Sequence, residues 1–318
     1  MADDVYPYDK VLYDRSFLNC YQRQAMVMLA ERVPDLPQLF GPCLVSSDAI
    51  LEQLVRIGRP KYDFQSELLA PRNLAHLGIT REYVPFATYA EARPALLQAV
   101  TQGGYVIPFI DVFYLPHTPE YRADHVVHTV ALTDYDPGAR EWSILDDNRA
   151  SVLCRYRYPE QVIADAYENG KMRHVSWFAT AGYDPDEAAR GAADAFGEVL
   201  DTFTDTHELL TGVGDLLSTP WISTPGTLAL LYDAFALHEG SRTCLREFVV
   251  RQPDYVATGP ALAGIGARCK DLRNQLIIGK AIGRVDVARV SAACAELKTA
   301  EEDMLASLRA ARPAEVAR

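Results

Sequence analysis

The stretch H-V-V-H-T-V-A-L-T places His125 and His128 at the mouth of an apolar run. T-V-A-L-T reads as a short, mostly β-branched strand, and D-Y-D-P-G as the turn that ends it. E-W-S-I-L-D-D-N then reads as an antiparallel partner ending in Asp146 and Asp147. In such a hairpin a histidine that begins one strand lies beside carboxylates that end the next. That is the placement of a general base and the group that orients it. A nucleophile stands earlier in the chain: Cys20 opens a predicted helix over residues 19 to 32. The unpaired N–H groups and dipole of a helix start favour the reactive thiolate. The order cysteine, histidine, aspartate suits a nucleophile, a base and an orienting carboxylate. The structural alternative is an inert buried cysteine and a core histidine bonded to an aspartate.

His125 and His128 are three residues apart, so in a strand they point to opposite faces. They are not expected to share one metal ion or one substrate atom, and His125 is expected to be structural or to lie at the rim. Asp111 ends the apolar run Y-V-I-P-F-I-D. It either caps the following turn or binds a substrate amine.

The elements that must hold these residues read as α+β. Helices are expected at 19 to 32, 47 to 57 and 88 to 101, with G-G at 103–104 breaking the chain. Strands follow through Y-V-I-P-F-I-D-V-F-Y-L-P, T-V-A-L-T, E-W-S-I-L-D-D, V-L-C-R-Y-R-Y and H-V-S-W-F-A-T, as a mostly antiparallel sheet. Beyond residue 180 the pattern is helical, at 184 to 213, 225 to 238, 241 to 251, 258 to 280 and 284 to 311, with frayed last residues expected. The reading gives two domains, a catalytic one over 1–180 and a helical one over 181–318.

Bulk properties narrow the function. The net charge is −12, which argues against nonspecific nucleic-acid binding. Of 318 residues 49% are apolar, enough for a sizeable core, yet no apolar run is long enough for a membrane span. The acidic start M-A-D-D-V has no targeting pattern. Six scattered cysteines without a C-x-x-C pair suit reduced thiols in a cytoplasmic protein and make a zinc site unexpected. No nucleotide or flavin motif appears.

The longer stretch G-G-Y-V-I-P-F-I-D-V-F-Y-L-P-H-T-P-E-Y-R-A-D-H-V-V-H-T-V-A-L-T-D-Y-D, then W-S-I-L-D-D, resembles the histidine and Asn/Asp strands of the papain-like cysteine peptidase fold. More closely it resembles the N-terminal domain of the butirosin biosynthesis protein H family. The likeness covers 103 to 147 most clearly, then 16 to 30, and extends loosely over the helical half, where G-S-R-T-C-L-R-E-F is the most suggestive stretch. It implies a papain-like first domain and acyl transfer in secondary metabolism. The acyl group would come from an acyl carrier or peptidyl carrier protein and pass to a small-molecule acceptor. Cys20 would be the acyl-accepting nucleophile, His128 its base and Asp146 the orienting carboxylate, with Asp147 a competitor one residue on. No cofactor is implied beyond the carrier's phosphopantetheine arm, and a homodimer is possible. The sequence departs from the pattern at two points. Asn19 precedes the cysteine where the family often has histidine, and Asp14 stands where papain-like peptidases carry the glutamine of the oxyanion hole. The Cys20 N–H and the Asn19 side chain are the expected replacements. Arg149, Arg155 and Arg157 form a basic cluster that could dock an acidic carrier. Cyclisation, hydrolysis by a thioesterase, amidase or peptidase, and a noncatalytic binding module use the same residues.

Overall fold

The structure is a computed structural model that describes residues 4–102, 104–219 and 222–312. The chain forms two compact units. One is made of residues up to Leu36 together with Leu77–Tyr183, the other of Pro37–His76 together with the chain from Asp184 onward. The last of the three crossovers, after Tyr183, falls close to the boundary expected near 180. Residues 37–76, expected with the first domain, belong instead to the helical unit. Side-chain caps explain this. Asp48 accepts the backbone N–H groups of Thr206 and Glu208, while Asp205 accepts that of Ser47 at 2.7 Å, so two chain segments cap one another.

The first unit is α+β around an open antiparallel sheet. Its strands are β1 (Asp4–Val5), β2 (Ile79–Pro85), β3 (Val106–Asp111), β4 (Val127–Thr129), β5 (Ala131–Asp136), β6 (Glu141–Asp147), β7 (Leu153–Pro159) and β8 (His174–Thr180). Their order is β1-β7-β6-β5-β3-β8-β2, with β4 also on β3. Residues 127 to 136 are one line of chain interrupted at Val130. Phe109 faces Thr129 and Val106 faces Leu132 in the same register, so Pro108 comes opposite Val130. Proline has no N–H to donate, and the ladder breaks there.

Helix α1 (Cys20–Ala30) carries eight consecutive buried residues, Gln22 to Leu29. Helices α2 (Tyr89–Thr101) and α3 (Glu160–Glu168) pack with Trp142, Ile144, Val106 and Ile110 in a hydrophobic core of this unit. Strand β2 and helix α3 were not read from the sequence. The apolar run expected to continue to residue 116 leaves the sheet at Asp111 and turns through Val112–Tyr114. Gly103, expected to help break the chain, and residues 313–318 of the frayed end lie outside the described residues.

The second unit is helical, with α4 (Pro185–Thr202), α5 (Thr224–Val249), α6 (Gly259–Ile282) and α7 (Val287–Ala310) its longest elements. The two helices expected at 225 to 238 and 241 to 251 are one helix that runs through the buried Gly240. No helix among the described residues is long and apolar enough to cross a membrane.

Candidate active site

The start of α1 is fixed by a capping box. The Asn19 side-chain oxygen accepts the Gln22 N–H at 2.8 Å, and Gln22 Oε1 accepts the Asn19 N–H at 3.2 Å. Cys20 is therefore the first residue of the helix, with its N–H among those the helix leaves unbonded. It is half-buried, whereas the other five cysteines are buried.

Sheet alternation supplies the base and its orienting group. His128, Val130 and Leu132 alternate onto one face, and Ile144 faces Leu132, so Asp146 shares that face diagonally across from His128. His128 Nε2 lies 2.8 Å from Asp146 Oδ1. The His128 ring and the Cys20 thiol are near enough for each to shift the other's proton affinity, and Nδ1 is the ring nitrogen that Asp146 leaves open. Burial pushes the thiol up, but the His128 charge and hydrogen bond, the Thr129 hydroxyl and the Arg15 charge outweigh it, and the net direction is down. For His128 burial works downward, while Asp146 and Cys20 drive its pKa well above the ordinary imidazole value. Both directions favour a thiolate–imidazolium pair.

Asp146 is fully buried and is the hub of the site. Gln24 Nε2, on α1, reaches its Oδ1 at 3.1 Å and the Thr129 carbonyl at 2.8 Å. The Asp147 N–H donates to Oδ1 at 2.8 Å. A second histidine, His117, holds Oδ2 at 2.9 Å through Nε2; its Nδ1 meets the Tyr158 hydroxyl at 2.9 Å and its ring stacks on Tyr156. Burial alone would raise this carboxyl, but the His128 charge and the two imidazole hydrogen bonds hold it well below the usual carboxylate range.

Asp147, the competing reading for the third member, points to the other face, as a one-residue step in a strand requires. It pairs with Arg15 at 2.9 Å and with Arg23 at 2.5 Å. Arg23 also donates to the Ser151 carbonyl at 2.9 Å. These bonds tie the start of α1 to the end of β6 and so fix the distance between nucleophile and carboxylate.

The remaining predicted residues lie apart from this chain of contacts. His125 Nδ1 pairs with Asp111 Oδ2 at 2.7 Å, and its half-exposed ring stacks on Phe113. Asp111 caps the turn after β3 by accepting the Phe113 N–H at 3.0 Å. The two histidines thus serve different aspartates. Asn19 spends its side-chain oxygen on the helix cap. Asp14 accepts the Ser16 N–H in a local turn. Arg155 and Arg157 are exposed on alternate positions of β7, with Arg149 exposed in the preceding turn.

Sequence reasoning missed His117, Gln24, Arg15 and Arg23. Only Gln24 and Arg23 carried a signal, as polar residues on the buried stripe of a helix. Among the described residues no group of three or more His, Cys, Asp or Glu side chains is arranged to hold a metal ion. The sequence matches no protein-family model and no curated protein.

Proposed function

We propose that this protein is a cysteine-dependent acyltransferase of natural-product assembly, with a papain-like first unit and a kinship to the butirosin biosynthesis protein H family. One observation carries the reading. An unbroken series of contacts runs from a half-buried thiol at a helix start, through His128, to a buried and ionised Asp146. Such a series prepares a nucleophile for a carbonyl carbon.

In the first half-reaction the Cys20 thiolate attacks the carbonyl of a carrier-bound thioester. The N–H groups at the first turn of α1 face the developing oxyanion. The donor C–S bond breaks as the acyl–Sγ bond forms, and His128 gives its proton to the departing carrier thiolate. In the second half-reaction an amine, a hydroxyl or a nucleophile within the acyl chain attacks the acyl carbon. Neutral His128 takes its proton, the acyl–Sγ bond breaks, and the thiolate–imidazolium pair returns. The exposed Arg149, Arg155 and Arg157 are the proposed landing for an acidic carrier.

The test is intact-protein mass after mixing with acyl thioesters of N-acetylcysteamine, for the wild type and Cys20→Ala. The expected result is an acyl adduct on the wild type alone, discharged faster by amines than by water. Discharge by water as fast as by amines would make the enzyme a hydrolase on the same residues. No adduct across a broad panel, together with a Cys20 inert to iodoacetamide, would sink the enzymatic reading.

A further inference from the structure

On the sheet face that carries Phe109 and Thr129, a band of aromatic rings runs outward from the nucleophile. Tyr21 directly follows Cys20, and its ring lies 5.4 Å from that of Phe109. Phe109 meets Tyr83 edge-on at 5.6 Å, and Tyr83 stacks on His174 at 4.6 Å. Register explains the alignment. Tyr83 faces Ser176, and Ser176 faces Ile107, two residues from Phe109, so these side chains share one face. The Tyr21 hydroxyl is anchored 2.8 Å from Ser176 Oγ.

Aromatic rings whose only task is to fill a core are closed over, as Tyr105 is at 1% exposure on the same unit. This band is open: Tyr83 is 40% exposed, and Tyr21 and Phe109 are half-buried. It also begins one residue from the nucleophile. Tyr21, whose ring meets Phe109, follows Cys20 on α1, and Phe109 is the cross-strand partner of Thr129, the residue after His128.

We infer that this band is the acyl-binding wall of the Cys20 site and that it selects flat acyl groups, aryl or polyunsaturated, over saturated ones of equal size. The inference rests on the proposed acyl transfer. Its occupant follows from position: what lies along rings that start beside Cys20 is whatever is bonded to its sulfur. As the acyl carbon leaves the donor sulfur for that of Cys20, the rest of the acyl group is laid along Tyr21, Phe109 and Tyr83. Offset and edge-on ring contacts reward a π-system beyond the area it buries, and a puckered saturated ring forfeits them.

The experiment compares 3-phenylpropanoyl and 3-cyclohexylpropanoyl thioesters of N-acetylcysteamine, whose carbonyls are alike and whose rings differ in flatness. Rates of Cys20 acylation are read by intact mass. In the wild type the phenyl ester should react roughly three- to tenfold faster. In Tyr83→Leu and Phe109→Leu that ratio should fall toward one. A ratio cancels any general loss of active protein, and Tyr83→Leu, at an exposed position, decides alone if Phe109→Leu does not fold. A wild-type ratio of one, or a ratio unchanged in the variants, overturns the wall and leaves acyl transfer standing. No acylation by these esters or by the acetyl thioester overturns acyl transfer and the wall together.

Discussion

Each of the two units buries a carboxylate against histidine and basic groups with cysteines nearby, yet they arrive at opposite chemistry. In the first unit Asp146 takes two imidazoles, and the thiol on the far side of His128 is driven down. In the second unit Glu301, on α7, takes His238 at 2.5 Å and the Arg242 guanidinium at 2.9 Å, both from α5. The spacing of His238 and Arg242, four residues apart, puts both on one face of that helix. Arg242 goes on to the Val45 carbonyl at 3.0 Å, and Ser241 to that of Cys43 at 2.6 Å. The thiols around this cluster are driven up. Burial raises Cys43 and Cys269 well above the ordinary value, with Cys244 and Glu301 adding to the shift, and burial pushes Cys294 up to about 12. The lesson is that residue types alone do not make a reactive site. A helix start, partial exposure and an imidazole between thiol and carboxylate do, and the second unit offers its cysteines none of these.

The sharpest way to break the comparison is alkylation. At neutral pH, iodoacetamide should label Cys20 in the folded protein at least about a hundredfold faster than the other five thiols, because thiolate fraction and access both favour it. Peptide mapping of a time course checks this, and labelling in denaturant should equalise all six. Comparable early labelling of Cys244 or Cys294 would remove the contrast.

The second unit is expected to fail by unfolding rather than by loss of chemistry. Glu301→Gln leaves the buried Arg242 charge without its carboxylate and should destabilise that unit by about 3–5 kcal/mol, read from urea denaturation. The sign with pH follows from the native carboxyl. Burial opposes its charge, but Arg242 and His238 hold it well below the ordinary value. The stability it contributes is therefore present above its unfolded pKa of about 4.3 and is lost as the pH falls toward the native one. Wild type should lose stability below about pH 4, and Glu301→Gln should lack that part of the acid dependence.

The features that local pattern sets were legible in the sequence. Cys20 opens the helix expected there, and the hairpin turn sets His128 against the end of the next strand. The choice between Asp146 and Asp147 was not legible, because it depends on register, and the β5–β6 hairpin shifts register by one residue between Leu132 and Asp134. His117 had no signal at all. It sits in the loop L-P-H-T-P, without periodicity, and meets Asp146 only through tertiary folding. The grouping of residues 37–76 with the helical unit was hidden for the same reason, since Asp48 and Asp205 find one another across the sequence. The α5 break expected near Gly240 shows the converse: a residue of low helix propensity is carried inside a helix by the packing around it.

The smallest expected effect is also the most discriminating, and it concerns the second imidazole on Asp146. His117 touches the triad carboxylate but not the thiol, and besides Asp146 its ring faces the Tyr158 hydroxyl and the Tyr156 ring. It is a positioning residue. His117→Gln removes one of four hydrogen bonds to Asp146 and leaves the others in place. A hydrogen bond to a charged group is worth about 1.5–3 kcal/mol, and the lower end corresponds to roughly a tenfold fall in the Cys20 acylation rate. Because the His128 charge, rather than His117, is the largest influence holding Asp146 ionised, the carboxylate should remain charged at neutral pH. The pH at which Cys20 alkylation is half-maximal should therefore stay where it is. Asp146→Asn, by contrast, removes the charge that raises His128. The imidazolium then loses its proton more readily, the thiolate loses its partner, and the alkylation midpoint moves up toward that of an ordinary thiol. A His117→Gln profile displaced as far as that of Asp146→Asn would make His117 part of the ionisation itself. A His117→Gln rate equal to wild type would make it a packing residue only, and Asp146, like Glu301, would then be held for the fold rather than for the chemistry on that side.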